Sequence, residues 1–311
     1  MEGRNGTGHS EFLLRGVTDH LELWGLLFTI FLSMYLLTIL GNLLIVLLIR
    51  SDARLLHAPM YFFLSYLSLA DVGFISTITP KVLQNLLSET KTISHGGCFT
   101  QMYFYMLFGN TDSFLLASMA YDRYMAICHP LRYTSLMSHK CCLLLVAISW
   151  LIPCLHSLMY TLLMSRLSFC ASRKIPHFFC DLNPMLGLSC SDKTLIETLM
   201  KTEAVVEILG PFVLIVVSYV LIFLAITKVP SAAGKRKAFY TCGSHLTVVI
   251  LFYGNVSLVY FMPSSANPEM QDTVAGIMYT MVTPMLNPFI YSLKNSEIKA
   301  AMGKLPRLLL L

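Results

Sequence analysis

Apolar positions in this chain neither alternate as in a half-buried strand nor recur on one face of a surface helix. They come in long runs separated by short polar stretches. A helix crossing the hydrocarbon core of a bilayer takes about 20 predominantly apolar residues. Seven runs reach that length: Leu23–Ile49, Pro59–Leu83, Gly97–Ile127, Cys141–Met164, Leu195–Thr227, Phe239–Met262 and Thr273–Leu293. Each is too long for a buried strand, and a segment in lipid must satisfy its own backbone hydrogen bonds. The predicted fold is an all-α membrane protein, one seven-transmembrane helix bundle over residues 1–311. The first, fourth and seventh runs contain no Asp, Glu, Lys or Arg. Charges inside the other runs are therefore candidates for function.

Composition strengthens the membrane reading. The chain is 56% hydrophobic and 13% charged, against about 45–50% and about 25% in soluble domains. The net charge of +5 does not point to nucleic acid, because the basic residues sort by segment and form no single patch. No cleavable signal peptide is expected: the N-terminal stretch is polar and the first apolar run is longer than a signal core.

Lys and Arg set the orientation. Thirteen lie on the side of the loop after the first run (Arg50, Arg54, Arg123, Arg132, Lys140, Lys228, Lys235, Arg236, Lys237, Lys294, Lys299, Lys304, Arg307) and seven on the other (Arg4, Arg15, Lys91, Arg166, Arg173, Lys174, Lys193). The N-terminus is predicted outside and the C-terminus inside. Asn5-Gly6-Thr7 is then a glycosylation acceptor on the outer side, Asn5 carrying the sugar. Residues 1–22 form an extracellular tail and residues 294–311 a cytoplasmic one. In the latter, Ile298, Met302 and Leu305 alternate with basic residues, as in a short amphipathic helix lying on the anionic leaflet.

The one long loop, residues 165–194, contains Cys170, Cys180 and Cys190, and Cys98 opens the third run on the same outer face. An oxidising face favours disulfides, and four cysteines allow three pairings. The residues alone leave the choice open. Cys128, Cys141, Cys142, Cys154 and Cys242 read as small buried hydrophobes.

Asp71 and Asp112 are acids within the second and third runs. At similar depth they would bind a hard cation such as Na⁺ or share a proton; otherwise they are two separately hydrogen-bonded acids. Asn287-Pro288 breaks the helix ladder in the seventh run and forms a hinge that repositions Tyr291. A ligand layer is expected about 10 to 18 Å below the outer surface at 1.5 Å per residue. Tyr105, Met106, Gly109 and Asn110 supply it from the third run, Glu203 and Glu207 from the fifth, Tyr253, Val256, Ser257 and Tyr260 from the sixth, and Ile277 and Thr280 from the seventh. A mostly apolar layer with a few polar groups suits a small molecule. Glu207 would favour an amine or hydrogen-bond donor if it faces that layer; the alternative is a protonated carboxyl bonded to a neighbouring helix. Nothing has the pattern of catalysis: there is no Walker loop, GxSxG, HExxH or zinc spacing. The chain is not expected to be an enzyme, and no cofactor beyond a structural Na⁺ is expected.

Several strings in order resemble the odorant (olfactory) receptors, a branch of the rhodopsin-like G-protein-coupled receptors. They are Gly41-Asn42, PMYFFL at 59–64, LSLAD at 67–71, MAYDRYMAICHPLRY at 119–133, Ser218-Tyr219, KAFYTCGSHL at 237–246 and PMLNPFIYSLKN at 284–295. The second and sixth of these resemble odorant receptors specifically, and the chain is similar to the class II group. The resemblance implies that Asp122, Arg123 and Tyr124 form the cytoplasmic switch, with Arg123 restrained by Asp122 and nearby polar groups at rest. It implies that Tyr219 and Tyr291 swing towards Arg123, that His245 is a switch residue, and that Tyr253 floors the odorant pocket. It implies Cys98–Cys180 and Cys170–Cys190 bridges and a sodium site at Asp71 and Asp112. The implied partners are a small volatile odorant, a stimulatory heterotrimeric G protein that raises cAMP, and the bilayer. The implied location is the plasma membrane, in the cilia of olfactory sensory neurons. Two alternatives stand beside it: an ion-coupled transporter or channel using the intramembrane carboxylates, and a chemosensory receptor outside olfaction.

Overall fold

The computed structural model describes residues 11–170, 173–260, 268–294 and 296–308; within these, the side chains of 203–205, 237, 240, 241, 260, 268, 269, 293, 294, 296 and 304–308 are excluded. The glycosylation acceptor Asn5 lies outside the described residues.

The spans form helices at Trp24–Ser51, Pro59–Leu86, His95–Cys128, His139–Ser165, Thr194–Thr227, Ala232–Tyr260 and Pro268–Lys294. Local chemistry marks their starts. Pro59 occupies the first turn of the second span, where its missing N–H costs nothing. Ser94 and Ser138 cap the third and fourth, accepting from the amides of Gly97 and Cys141. The sixth helix begins at Ala232 rather than Phe239, because an apolar run marks the edge of the hydrocarbon and the backbone ladder continues past it into the basic loop.

Burial follows membrane logic. Leu36, Leu40 and Leu47 of the first span and Leu144, Leu151 and Leu155 of the fourth are exposed, a surface suited only to lipid. Five spans are long and apolar enough to cross a bilayer on length and composition alone; the third and seventh are not among them. The third is the central pillar, and its Gln101, Thr111, Asp112, Ser113, Ser118 and Asp122 are all buried among the other helices. The seventh is broken into Pro268–Ile277, a π-helical turn Met278–Val282 and Thr283–Lys294. Helix runs through Pro288, and the irregular turn lies before it. Pro288 cannot donate to the carbonyl four residues back, at Pro284. Asn42 of the first span donates to that carbonyl at 3.2 Å. Gly41 makes the approach feasible, since a Cβ there would lie 3.1 Å from the Pro288 ring.

At the outer face the helical bundle carries a small addition that the apolar pattern does not predict. A three-stranded sheet has β1 (Glu11–Leu14) at its centre, antiparallel to β2 (Thr92–Ser94) and parallel to β3 (Lys174–Ile175). Phe12 and Leu14 turn inward and Glu11 and Leu13 outward. Four alternating residues are too few to stand out beside the long runs. Cys98–Cys180 ties the third span to the long loop and Cys170–Cys190 closes the loop on itself, with Cα separations of 5.5 and 6.0 Å. The other five cysteines are free thiols, and only Cys142 and Cys242 are fully buried. After the seventh span a helix runs Ser296–Leu308, with Ile298 and Ala301 packed into the core.

Candidate functional site

The third, fifth, sixth and seventh spans enclose a chamber of about 60 Å³ in the outer half of the bundle. Tyr105, Met106, Gly109, Asn110, Tyr253 and Val256 line it, joined by Ser113, Ile208, Phe252 and Tyr279. The Ser113 and Tyr253 hydroxyls are 2.8 Å apart and link the third span to the sixth. Gly109 sits under Tyr279, whose hydroxyl would lie 2.8 Å from any Cβ there. Above the chamber a vestibule of about 450 Å³ opens between the third, fourth and fifth spans and the loop. Met106, Asn110 and Ile208 line both spaces. Glu207 belongs to the vestibule, with His156 of the fourth span and Asp181 and Lys201 around it.

Three residues expected in the layer line neither the chamber nor the vestibule. Ser257 is exposed and its hydroxyl donates to the Tyr253 carbonyl one turn back. Thr280 is fully buried, its hydroxyl spent on the Gly276 carbonyl. Ile277 packs against the core. The π-turns Val205–Leu209 and Met278–Val282 explain part of the shift, because each rotates the helix face that a regular 3.6-residue count would assign. The Glu203 and Tyr260 side chains lie outside the described residues. The counting also missed Ser113, Ile208, Phe252 and Tyr279. Ser113 carried the only available signal, a small polar residue one helical turn below Asn110.

Deeper in the bundle, both Asp71 carboxylate oxygens accept from the Asn287 amide nitrogen, at 3.1 and 2.9 Å. Oδ1 of Asp112 and Oδ1 of Asn287 are buried with no hydrogen-bond partner. The donor set is all oxygen, as a hard cation requires. Among the described residues no group of three His, Cys, Asp or Glu gathers for a metal ion.

At the cytoplasmic end, Tyr219 and His245 are joined at 2.7 Å and their rings stack. His245 Nε2 lies 3.0 Å from the Leu116 carbonyl. A carbonyl only accepts, so Nε2 carries the hydrogen, and in the neutral ring Nδ1 accepts from the Tyr219 hydroxyl. Asp122 and Arg123 interact electrostatically, without a direct ion pair among the described residues. Asp122 accepts from the Tyr133 hydroxyl at 2.7 Å. Tyr133 reaches Asp122 because the chain folds back through a short turn, Pro130–Arg132, just after the third span. Nε of Arg123 is buried without a partner, as is the Tyr291 hydroxyl. The Tyr124 hydroxyl pairs with His129 at 3.1 Å.

A family model described as "Olfactory receptor" matches residues 31–308. Human Olfactory receptor 1L1 is 56% identical over 304 residues, covering 97% of this chain and 84% of that protein. Gorilla Olfactory receptor 1G1 is 54% identical over 305 residues, covering 98% and 97%. Human Olfactory receptor 1L4 is 56% identical over 306 residues, covering 98% of each.

The chain belongs to the olfactory receptor family.

Membership makes it a seven-transmembrane, multi-pass membrane protein and an odorant receptor that works through a G protein, not an enzyme. The transporter reading of the intramembrane carboxylates gives way to this. The chamber and the cytoplasmic cluster of this olfactory receptor share two helices. Ser113, Leu116 and Arg123 all lie on the third span, and the sixth span touches it at Tyr253 and again at His245.

Proposed function

We propose that a small volatile odorant binds at the chamber beside Tyr105, Asn110, Ser113 and Tyr253, and that the receptor then activates a stimulatory heterotrimeric G protein and raises cAMP. The observation that carries this reading is the paired contact of the sixth span with the third, at Ser113–Tyr253 in the chamber and at His245–Leu116 below it. A ligand that bonds to Ser113 or Tyr253 competes with the upper contact and biases the lower one. It shifts the equilibrium only by its differential affinity for the two arrangements. Arg123, at the inner end of the same helix, engages the G protein once the sixth span moves, and Tyr219 and Tyr291 turn towards it. Asp71 and Asp112, with the spare oxygen of Asn287, hold a Na⁺ ion that favours the resting arrangement. The receptor acts in the plasma membrane, in the cilia of olfactory sensory neurons, and its last helix lies on the inner leaflet.

The test is cAMP accumulation in cells expressing the chain with a stimulatory G protein, across volatile amines, alcohols, thiols, esters, aldehydes and ketones. A dose-dependent rise that disappears in Arg123→Ala, with surface expression unchanged, is expected. Signalling retained in Arg123→Ala would sink the role given to that residue.

A further inference from the structure

On the lipid-facing side of the bundle, the fifth and sixth spans leave a cleft of about 370 Å³ between them. Phe212, Val216, Val220 and Phe223 form its wall on the fifth span, and Leu246 and Val249 form it on the sixth. Those four residues of the fifth span are all exposed, and in a bilayer such a surface meets acyl chains rather than water. The cleft runs from Phe212 to Leu224, about 18 Å at 1.5 Å per residue. That is slightly more than half of the roughly 30 Å hydrocarbon core. The fifth span ends at Thr227 on the inner side, so the cleft belongs to the inner leaflet.

Two aromatic rings connect the cleft to the interior. Phe212 forms its deep end, with its ring 4.9 Å from that of Tyr253. Nearer the cytoplasm Tyr219 lines it, with the ring whose hydroxyl bonds to His245. A hydrocarbon chain in the cleft therefore packs on the direct neighbours of both Tyr253 and His245.

An apolar cleft accepts any hydrocarbon, and charge at its mouth selects among them. From Ile208 to Pro268 the chain has no Asp or Glu, while Lys228, Lys235, Arg236 and Lys237 all fall within that stretch. Lys228 caps the fifth span one turn beyond Leu224, and Lys235 and Arg236 lie near the start of the sixth, which begins at Ala232. Lys228 and Arg236 are exposed and Lys235 is half-buried. Among the described residues none of these three takes part in an ion pair. Cations gathered at the surface of the inner leaflet attract anionic head groups.

We propose that this cleft holds an acyl chain of an anionic phospholipid from the inner leaflet, with the phosphate of its head group at Lys228, Lys235 and Arg236. A sterol would fill the apolar part and leave the three cations unanswered. A zwitterionic phospholipid brings a cation of its own to a site already rich in them. The bound chain stands between the fifth and sixth spans, so its occupancy depends on their separation.

Quenching by brominated lipids tests this without ligand or G protein. Phe223→Trp and Val216→Trp place a reporter in the cleft, and Leu151→Trp places one on the exposed lipid face of the fourth span. Each full-length receptor is reconstituted in nanodiscs of phosphatidylcholine, phosphatidylserine and cholesterol, with one lipid at a time brominated in its apolar part. The parent receptor, with Trp24 and Trp150, supplies the background. At both cleft positions, phosphatidylserine is expected to quench with a relative affinity about tenfold above that of phosphatidylcholine. High salt should erode that preference. The combined Lys228→Gln, Lys235→Gln and Arg236→Gln variant should abolish it, and Leu151→Trp should show none. Equal quenching by the two phospholipids in the cleft, or a preference that survives the triple substitution, would overturn the head-group assignment. Quenching led by cholesterol would overturn the occupant. No quenching by any lipid would mean that protein covers the cleft, and would overturn the site.

Discussion

Tyr219 donates its hydroxyl hydrogen to Nδ1 of His245, and the same imidazole donates from Nε2 to the Leu116 carbonyl. One ring thus holds the third, fifth and sixth spans together at a point where His245 is fully buried. The His245→Phe variant keeps the ring and removes both bonds. At about 1 kcal/mol each, their loss shifts the equilibrium between the two arrangements by roughly tenfold or more. Ligand-independent cAMP is expected to rise at constant surface expression. A basal level equal to the parent receptor would show that this bridge does not favour the resting state.

The contact between the first and seventh spans depends on a missing side chain. A Cβ at Gly41 would press on Pro288 at 3.1 and 3.2 Å. Gly41→Val therefore forces the two helices apart at a cost of about 1–3 kcal/mol. Asn42→Ala leaves the Pro284 carbonyl without its donor, a cost of about 1–3 kcal/mol by a different route. Thermal unfolding of detergent-solubilised receptor should show a lower midpoint for both variants.

Cys98→Ser or Cys180→Ser opens the bridge that anchors the long loop to the third span. Loss of a native disulfide costs about 2–5 kcal/mol. Surface delivery, read by antibody staining of unpermeabilised cells, should fall sharply in both. Normal delivery in either would mean that the loop is held well enough by the sheet alone.

Asp181 in the outer loop gives a stability signature with pH. Burial pushes its carboxyl up to about 6, partly opposed by the Leu182 amide that donates to it at 2.7 Å. In the unfolded chain the group titrates at its ordinary value of 3.8. Above about 6 the fold carries the full cost of a buried charge, roughly 2–3 kcal/mol. That cost shrinks as pH falls between these two values and is gone below 3.8, where both states are protonated. Asp181→Asn keeps the acceptor for Leu182 and drops the charge. It should unfold at a higher temperature than the parent at neutral pH, with the gap closing below about pH 4. A gap that is constant with pH would locate the effect elsewhere.

The span map was legible because lipid imposes a length and an apolarity that few other constraints imitate. Asp71, Asp112 and Asp122 stood out for the same reason, as charges where charge is expensive. The chamber was less legible. Four expected residues on the third span line it, yet Ser257, Ile277 and Thr280 do not; in the seventh span a π-turn breaks the count that projects a sequence onto a helix face. The partner of Asp122 was hidden for another reason. Tyr133 lies eleven residues on, beyond the end of the helix, and only the fold-back at Pro130 brings it round. The strand at Glu11–Leu14 left almost no trace, since its partners are distant in sequence and its own pattern spans four residues.

That strand also constrains the order in which the molecule is built. Synthesis delivers β1 first, but β2 follows only after two spans and β3 only after four. Until Lys174–Ile175 emerges, the edge of β1 that will pair with it has backbone groups without partners. Completion of the cap therefore reports on helix insertion, because one span that failed to cross would leave the third strand on the other side of the membrane.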